Sequence, residues 1–89
     1  MIVGLNKICE HEGKEYHLQA EDLGTDQASF DLRVYEGGSV RWQKRVPYAE
    51  IIEKSLPKAE QDEAILSLME KSIHTLQAAI AKGKLILGP

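Results

Sequence analysis

The chain has 89 residues, of which 43% are hydrophobic and 28% charged, and its formal net charge is −3. These values are typical of a soluble globular protein, and we interpret residues 1–89 as one domain. A broad basic field that attracts nucleic acid is not expected at this charge, although a local basic face is compatible with it. The single cysteine excludes an internal disulfide. Because we find neither a signal segment nor an apolar run of about 18 residues, we expect a cytoplasmic protein without a membrane segment.

Apolar residues alternate along the first half of the chain, which predicts antiparallel strands. The stretches KEYHLQA, ASFDLRVY and SVRWQKRV each place apolar side chains on one face and mainly polar side chains on the other. The segment IVGLNKIC has a more mixed pattern. We interpret it as a further strand that turns back at Glu12-Gly13.

The register between the second and third predicted strands follows from matching apolar faces and opposite charges. It leaves residues 22–26 as the loop. The pairs it predicts are Leu18 with Phe30, Tyr16 with Leu32, Glu15 with Arg33, and His17 with Asp31.

The next hairpin contains Gly37 and Gly38. A two-residue turn at these glycines would mix the apolar and polar faces, so we predict a three-residue loop over 36–38 with Gly38 in the left-handed conformation. The pairs that result are Val34 with Val40 and Leu32 with Trp42, and Trp42 then faces the core.

The apolar spacing becomes helical after Pro47, which predicts two helices. A short helix contains Ile51 and Ile52 and ends before Pro57. A longer helix runs from about Lys58 to Lys82, and Gly83 caps it. Its apolar stripe consists of Ile65, Leu66, Met69, Ile73, Leu76 and Ile80. The predicted fold class is therefore α+β: an antiparallel meander of three to four strands, packed on one face by a long C-terminal helix with a short helix before it.

Several strings in the sequence resemble a small bacterial domain family whose function is uncharacterised. They are YHLQAEDLG, the GG that follows it, KRVPYAE, and the closing AAIAKGK, and they span roughly residues 13–84. The resemblance implies a compact α+β domain and assigns no activity or catalytic residue to any position. The N-terminal strand and the LIL tail lie outside it.

The histidine and cysteine residues do not predict a catalytic or metal site. Cys9, His11 and His17 are the cluster most similar to metal ligands, but a hairpin that turns at 12–13 places Cys9 opposite Tyr16 and His17 on the other face. A pair formed by His17 and Asp31 has no nucleophile beside it. We therefore predict no metal site here.

Two loops lack the features of known ligand-binding motifs. The acidic stretch EDLGTD lacks the alternating ligands and final glutamate of a calcium loop, and the glycine pair precedes a strand instead of a phosphate-binding helix. A deep pocket that holds His17 or His74 would favour an enzyme. From the sequence we predict no enzymatic activity, no metal and no cofactor.

Two surfaces are candidates for partner binding. Apolar residues outside the helix stripe predict contact with a protein partner or with a second copy of the chain; these are Leu68, Leu85, Ile86 and Leu87. The polar face of the sheet offers an alternative, single-stranded nucleic acid; its residues are Arg33, Tyr35, Arg41, Gln43 and Arg45. The predicted function is thus a non-enzymatic protein-interaction or assembly module, and nucleic-acid binding is the alternative.

Overall fold

A computed structural model describes residues 4–85, which form a four-stranded antiparallel sheet and two helices. The elements are β1 (Gly4–His11), β2 (Lys14–Asp22), β3 (Ser29–Glu36), β4 (Ser39–Pro47), α1 (Ala49–Glu53) and α2 (Lys58–Ala81). The strand order is β1-β2-β3-β4, a meander. The predicted α+β fold is confirmed, including the N-terminal strand and the short helix before the long one.

The core lies between the inner face of the sheet and α2. Alternation along β2 and β3 buries Leu18, Phe30 and Val34 completely. The buried residues of α2 are Ile65, Met69, Ile73, Leu76 and Ile80. Leu66, at the border of the predicted stripe, is only partly buried. Trp42 packs against the core, as predicted.

The helix α2 packs over β1 and β2 and also contacts α1. Since α2 lies toward the β1 side of the sheet, the inner face of β4 is less completely covered. This placement leaves an open surface between β4 and α2.

The hairpin between β1 and β2 has the predicted register. Cys9 pairs with Tyr16, and the turn is formed by Glu12 and Gly13, both with positive φ. His17 is on the opposite face of the sheet from Cys9 because side chains alternate along a strand.

The predicted register between β2 and β3 is wrong by four residues. Leu18 pairs with Val34 instead of Phe30. Strand β2 continues through Asp22, whose Oδ1 accepts a hydrogen bond from the Gly24 N–H at 3.1 Å. The loop thus begins one residue later than the predicted 22–26. A shift by an even number of residues leaves every side chain on the same face, so alternation alone does not distinguish the two registers.

The charge pairs predicted for this register do not form. His17 lies opposite Tyr35, and its Nε2 is 3.1 Å from Oε1 of Glu15. Arg33 lies opposite Gln19 instead of Glu15.

The predicted loop between β3 and β4 is also wrong. Gly37 and Gly38 form a two-residue turn with φ of 58° and 82°, so that Glu36 pairs with Ser39. A register shift follows between Val34 and Tyr35, where Arg41 is an extra residue. This β-bulge places Trp42 on the inner face, so that the apolar side chains of β3 and β4 share that face. The resulting pairs are Val34 with Trp42 and Leu32 with Lys44.

The C-terminal end of α2 has the predicted glycine cap. Gly83 has φ of 66°, its N–H donates to the Ile80 carbonyl, and the Lys84 N–H donates to the Ala79 carbonyl at 2.9 Å. These two bonds define a Schellman motif.

We expect Gly83→Ala to lower the free energy of unfolding by about 1 kcal/mol, because alanine is strained in the left-handed conformation. An added Cβ meets no atom of residues 4–85 within 4 Å, so backbone conformation is the cause. Urea unfolding measures the change. Gly83→Asn is the control and should cost less, because asparagine tolerates this conformation. Equal stability of the alanine variant and the wild type would contradict the prediction.

Candidate interaction surfaces

An apolar groove of about 430 Å³ lies between β4 and α2. It exists because α2 packs over β1 and β2 and leaves the inner side chains of β4 partly open. The sheet side of the groove includes Trp42, Lys44 and Val46, and Leu76 of α2 contributes to its lining. Trp42 and Val46 are only partly buried. The groove is therefore an unfilled extension of the core.

Small side chains on one flank of α2 create this space. Ser72, Thr75 and Ala79 follow one another at helical spacing and line the groove opposite the sheet. Leu68 lies one turn before Ser72 on the same flank, and it is partly buried against the core. The predicted contact residue Leu68 thus continues the groove-lining flank.

The chain returns to the groove after α2 ends. Leu85 lines the groove and packs against the core. The structure therefore brings Leu85 to the flank of α2 on which Leu68 lies. The other two predicted contact residues, Ile86 and Leu87, lie outside the described residues.

Lys44 of β4 and Lys71 of α2 line the groove and give it a positive charge. Lys44 is on the inner face of β4, opposite Leu32, and is exposed. The lysine ion pairs within residues 4–85 are Lys14 with Glu36 and Lys58 with Asp62, so Lys44 has no carboxylate partner there. An inward lysine on an edge strand is a known protection against unspecific strand pairing.

The opposite face of the sheet carries Arg33 and Arg45, and one carboxylate binds both of them. Asp31 is 3% exposed, and it accepts hydrogen bonds from Arg45 Nε at 3.0 Å and from Arg33 Nη2 at 2.9 Å. The predicted polar-face residue Arg41 is instead the extra residue of the β-bulge. Its Nε is 3.8 Å from Oε1 of Glu36, which follows the inner-facing Val34 by two positions. The positive charge of this face is therefore largely balanced within the chain.

The same face has exposed apolar residues that the sequence interpretation missed. Ile8 and Val40 are 57% and 49% exposed. They lie at the two ends of a row across the sheet that continues through His17 and Tyr35. The apolar pattern predicts Val40 on the core face, and the bulge at Arg41 places it on the opposite face. Gln43, by contrast, pairs with Arg33 and is on the polar face as predicted.

The histidines line two other depressions. His74 borders a groove of about 720 Å³ between β1 and α2, together with Lys7, Glu70 and Gln77. His17 borders a depression of about 280 Å³ on the open sheet face. Within residues 4–85, no group of three or more His, Cys, Asp or Glu side chains is arranged to hold a metal ion.

The cysteine is a poor candidate for a reactive thiol. Burial raises the pKa of Cys9, and the nearby charge of Lys7 opposes this effect only in part. A raised pKa reduces the fraction of thiolate, which is the nucleophilic form.

A partly buried hydrogen bond connects the end of β2 with the segment between β4 and α1. The Tyr48 hydroxyl donates to Oδ1 of Asp22 at 2.6 Å, and the Tyr48 N–H donates to the Ala28 carbonyl at 2.7 Å. The ring of Tyr48 also stacks on Phe30 with centroids 6.5 Å apart. Burial raises the pKa of Tyr48, and the hydrogen bond and charge of Asp22 raise it further. These contacts stabilise the fold and are not part of an exposed site.

No family model, curated protein or solved structure matches this chain. Among the described helices, none is both long enough and apolar enough to cross a membrane. The functional interpretation therefore depends on the surfaces of this small α+β domain.

Proposed function

We propose that the protein is a non-enzymatic protein-interaction or assembly module that uses the groove between β4 and α2. The supporting observation is that Trp42 and Val46 remain partly open beside a flank of small helix residues. A partner that fills the groove removes this apolar surface from water, which is the dominant favourable term in protein association. Leu85 extends the same apolar surface.

The size of the groove limits the affinity that it provides by itself. Complete burial of one apolar side chain contributes about 1.5–3 kcal/mol, whereas association costs about 4–15 kcal/mol in lost translational and rotational freedom. A few side chains in about 430 Å³ are therefore insufficient for tight binding. The partner must also make polar or backbone contacts beside the groove.

Nucleic-acid binding on the arginine face has less support. Arg33 and Arg45 already bind Asp31, and Arg41 is close to Glu36. A phosphate must compete with these carboxylates. Salt-sensitive binding of an oligonucleotide that falls in Arg45→Ala would favour this alternative.

We expect Ala79→Arg to abolish partner binding, because the long side chain fills the groove. The full-length chain is immobilised, and the proteins that it retains from a lysate are compared with those retained by the variant. Ala81→Arg is the matched control, because it makes the same change at an exposed position of α2. Thermal unfolding checks that both variants remain folded. Light scattering of the free chain shows whether the partner is a second copy.

Proteins retained by the wild type and by Ala81→Arg, but not by Ala79→Arg, would support the proposal. So would a dimer that only Ala79→Arg dissociates. A monomeric chain whose retained proteins are the same in all three forms would overturn it.

A further inference from the structure

We infer that the outer edge of β4 binds an extended segment of a different protein. The segment pairs with β4 as a fifth strand and places a carboxylate opposite Lys44, between apolar side chains opposite Trp42 and Val46. This inference rests on the proposed function, because the two apolar side chains enter the same groove.

The backbone of β4 provides the contacts that the groove lacks. Strand β4 is last in the order β1-β2-β3-β4, so within residues 4–85 only β3 pairs with it. Its outer edge presents backbone donors and acceptors to an incoming strand. Strand addition obtains affinity from these hydrogen bonds and specificity from pockets for alternate side chains. The groove beside β4 is such a pocket.

Side-chain alternation along β4 specifies the sequence pattern of the segment. Trp42, Lys44 and Val46 pair with Val34, Leu32 and Phe30, and therefore share the inner face. The inner residues of an added strand also occur at every second position. The complementary pattern is apolar, any residue, acidic, any residue, apolar. It reads the same in both directions, so it fits parallel and antiparallel pairing.

Charge distinguishes this partner from a second copy of the chain. In a two-fold antiparallel pair of β4 strands, the register that sets Trp42 against Val46 also sets Lys44 against Lys44 of the copy. Like charges directly opposite each other destabilise a strand pair. A carboxylate in the partner reverses the sign of this interaction. Lys44 thus disfavours self-pairing and selects an acidic segment.

The other edge of the sheet fits such a segment less well. The inner face of β1 carries Lys7, Cys9 and His11 after Leu5. The groove beside it is lined mainly by polar residues of α2, such as Glu70 and His74. Apolar side chains of an added strand would gain less burial there. Strand β1 also places a lysine, Lys7, between two partly buried apolar residues, Leu5 and Cys9. The mainly apolar lining of its groove therefore distinguishes β4.

The test uses a fluorescent peptide, Ser-Thr-Ile-Thr-Glu-Thr-Val-Thr-Ser, and a second peptide with lysine in place of the glutamate. Binding to the full-length chain is measured by fluorescence polarisation. Lys44→Glu should bind the glutamate peptide about tenfold more weakly and should prefer the lysine peptide. Lys7→Glu is the matched control, because it changes the inner lysine of the other edge strand. Its affinity for both peptides should equal that of the wild type.

Amide hydrogen exchange shows whether the peptide adds a strand. The outward-facing N–H groups of β4 should be protected in the complex, and those of β1 should not. Absent binding, equal binding by Lys44→Glu and the wild type, or protection elsewhere would overturn the inference. Failure of the proposed function is a different result. If Ala79→Arg still removes retained proteins while the peptide does not bind, the groove functions without strand addition.

Discussion

Asp31→Ala is expected to lower the free energy of unfolding by about 2–4 kcal/mol, because it removes the acceptor of two charged hydrogen bonds. Asp31 is buried on the polar sheet face, where Arg45 and Arg33 donate to its two oxygens at 3.0 and 2.9 Å. The loss is smaller than for a fully buried pair, because the Arg45 side chain is 59% exposed and regains water. Urea unfolding followed by fluorescence of the single tryptophan measures it.

Glu21→Ala is the control for this prediction. Its carboxylate is 3.5 Å from Arg33 Nη1, but its side chain is 51% exposed. We expect a change of at most about 0.5 kcal/mol, as for most exposed ion pairs. A loss for Asp31→Ala no larger than for Glu21→Ala would show that burial of Asp31 contributes little to stability. A much larger loss for Asp31→Ala than for Glu21→Ala would show that Arg33 and Arg45 have a structural role, because both bind Asp31.

Tyr48→Phe is expected to lower the free energy of unfolding by about 1.5–3 kcal/mol, the range for a hydrogen bond to a charged group. The variant keeps the stack on Phe30 and removes only the hydroxyl that donates to Asp22 at 2.6 Å. Asp22 retains the Gly24 N–H as a donor. Tyr35→Phe is the matched control, since Tyr35 is on the open face, and it should change stability by less than about 0.5 kcal/mol.

The stability contributed by Tyr48 should also depend on pH. Burial, and then Asp22, raise the pKa of Tyr48 in the folded chain above the value of about 10 in the unfolded chain. The unfolded chain therefore loses this proton first as the pH rises, and stability falls above pH of about 10. The difference between the wild type and Tyr48→Phe should be constant below that pH and decrease above it. A difference that grows with pH would contradict this assignment.

The errors in the predicted registers show that alternation of apolar and polar residues does not determine which residues pair across two strands. The predicted pair of Leu18 with Phe30 and the observed pair of Leu18 with Val34 place the same residues in the core. The choice between them depends on the Asp22 turn and on Tyr48, which is distant in sequence. Similarly, the two-residue turn at Gly37 and Gly38 is compatible with the core only because Arg41 is an extra residue.

The candidate site likewise combines features that the sequence predicts with features that depend on tertiary structure. Leu68 and Leu85 are predicted contact residues because they lie outside the apolar stripe, and in the structure both pack against the core. The groove itself was not predicted, since its existence depends on α2 lying over β1 and β2. The position of Lys44 opposite Leu32 depends on the bulge. The helix placement has no signal in the apolar pattern. The mismatch of faces at the glycine pair is a signal, but it does not distinguish a longer loop from a bulge.

Local physical chemistry in the sequence determined the order of elements, the core faces of β2 and β3 and the ends of the long helix. Alternation with period two, the change to helical spacing after Pro47, and the conformational preferences of Pro57 and Gly83 act within a few residues. Tertiary structure alone decided the strand registers, the position of α2 and hence the groove beside β4. These depend on contacts between residues far apart in the chain, and several arrangements bury the same apolar faces.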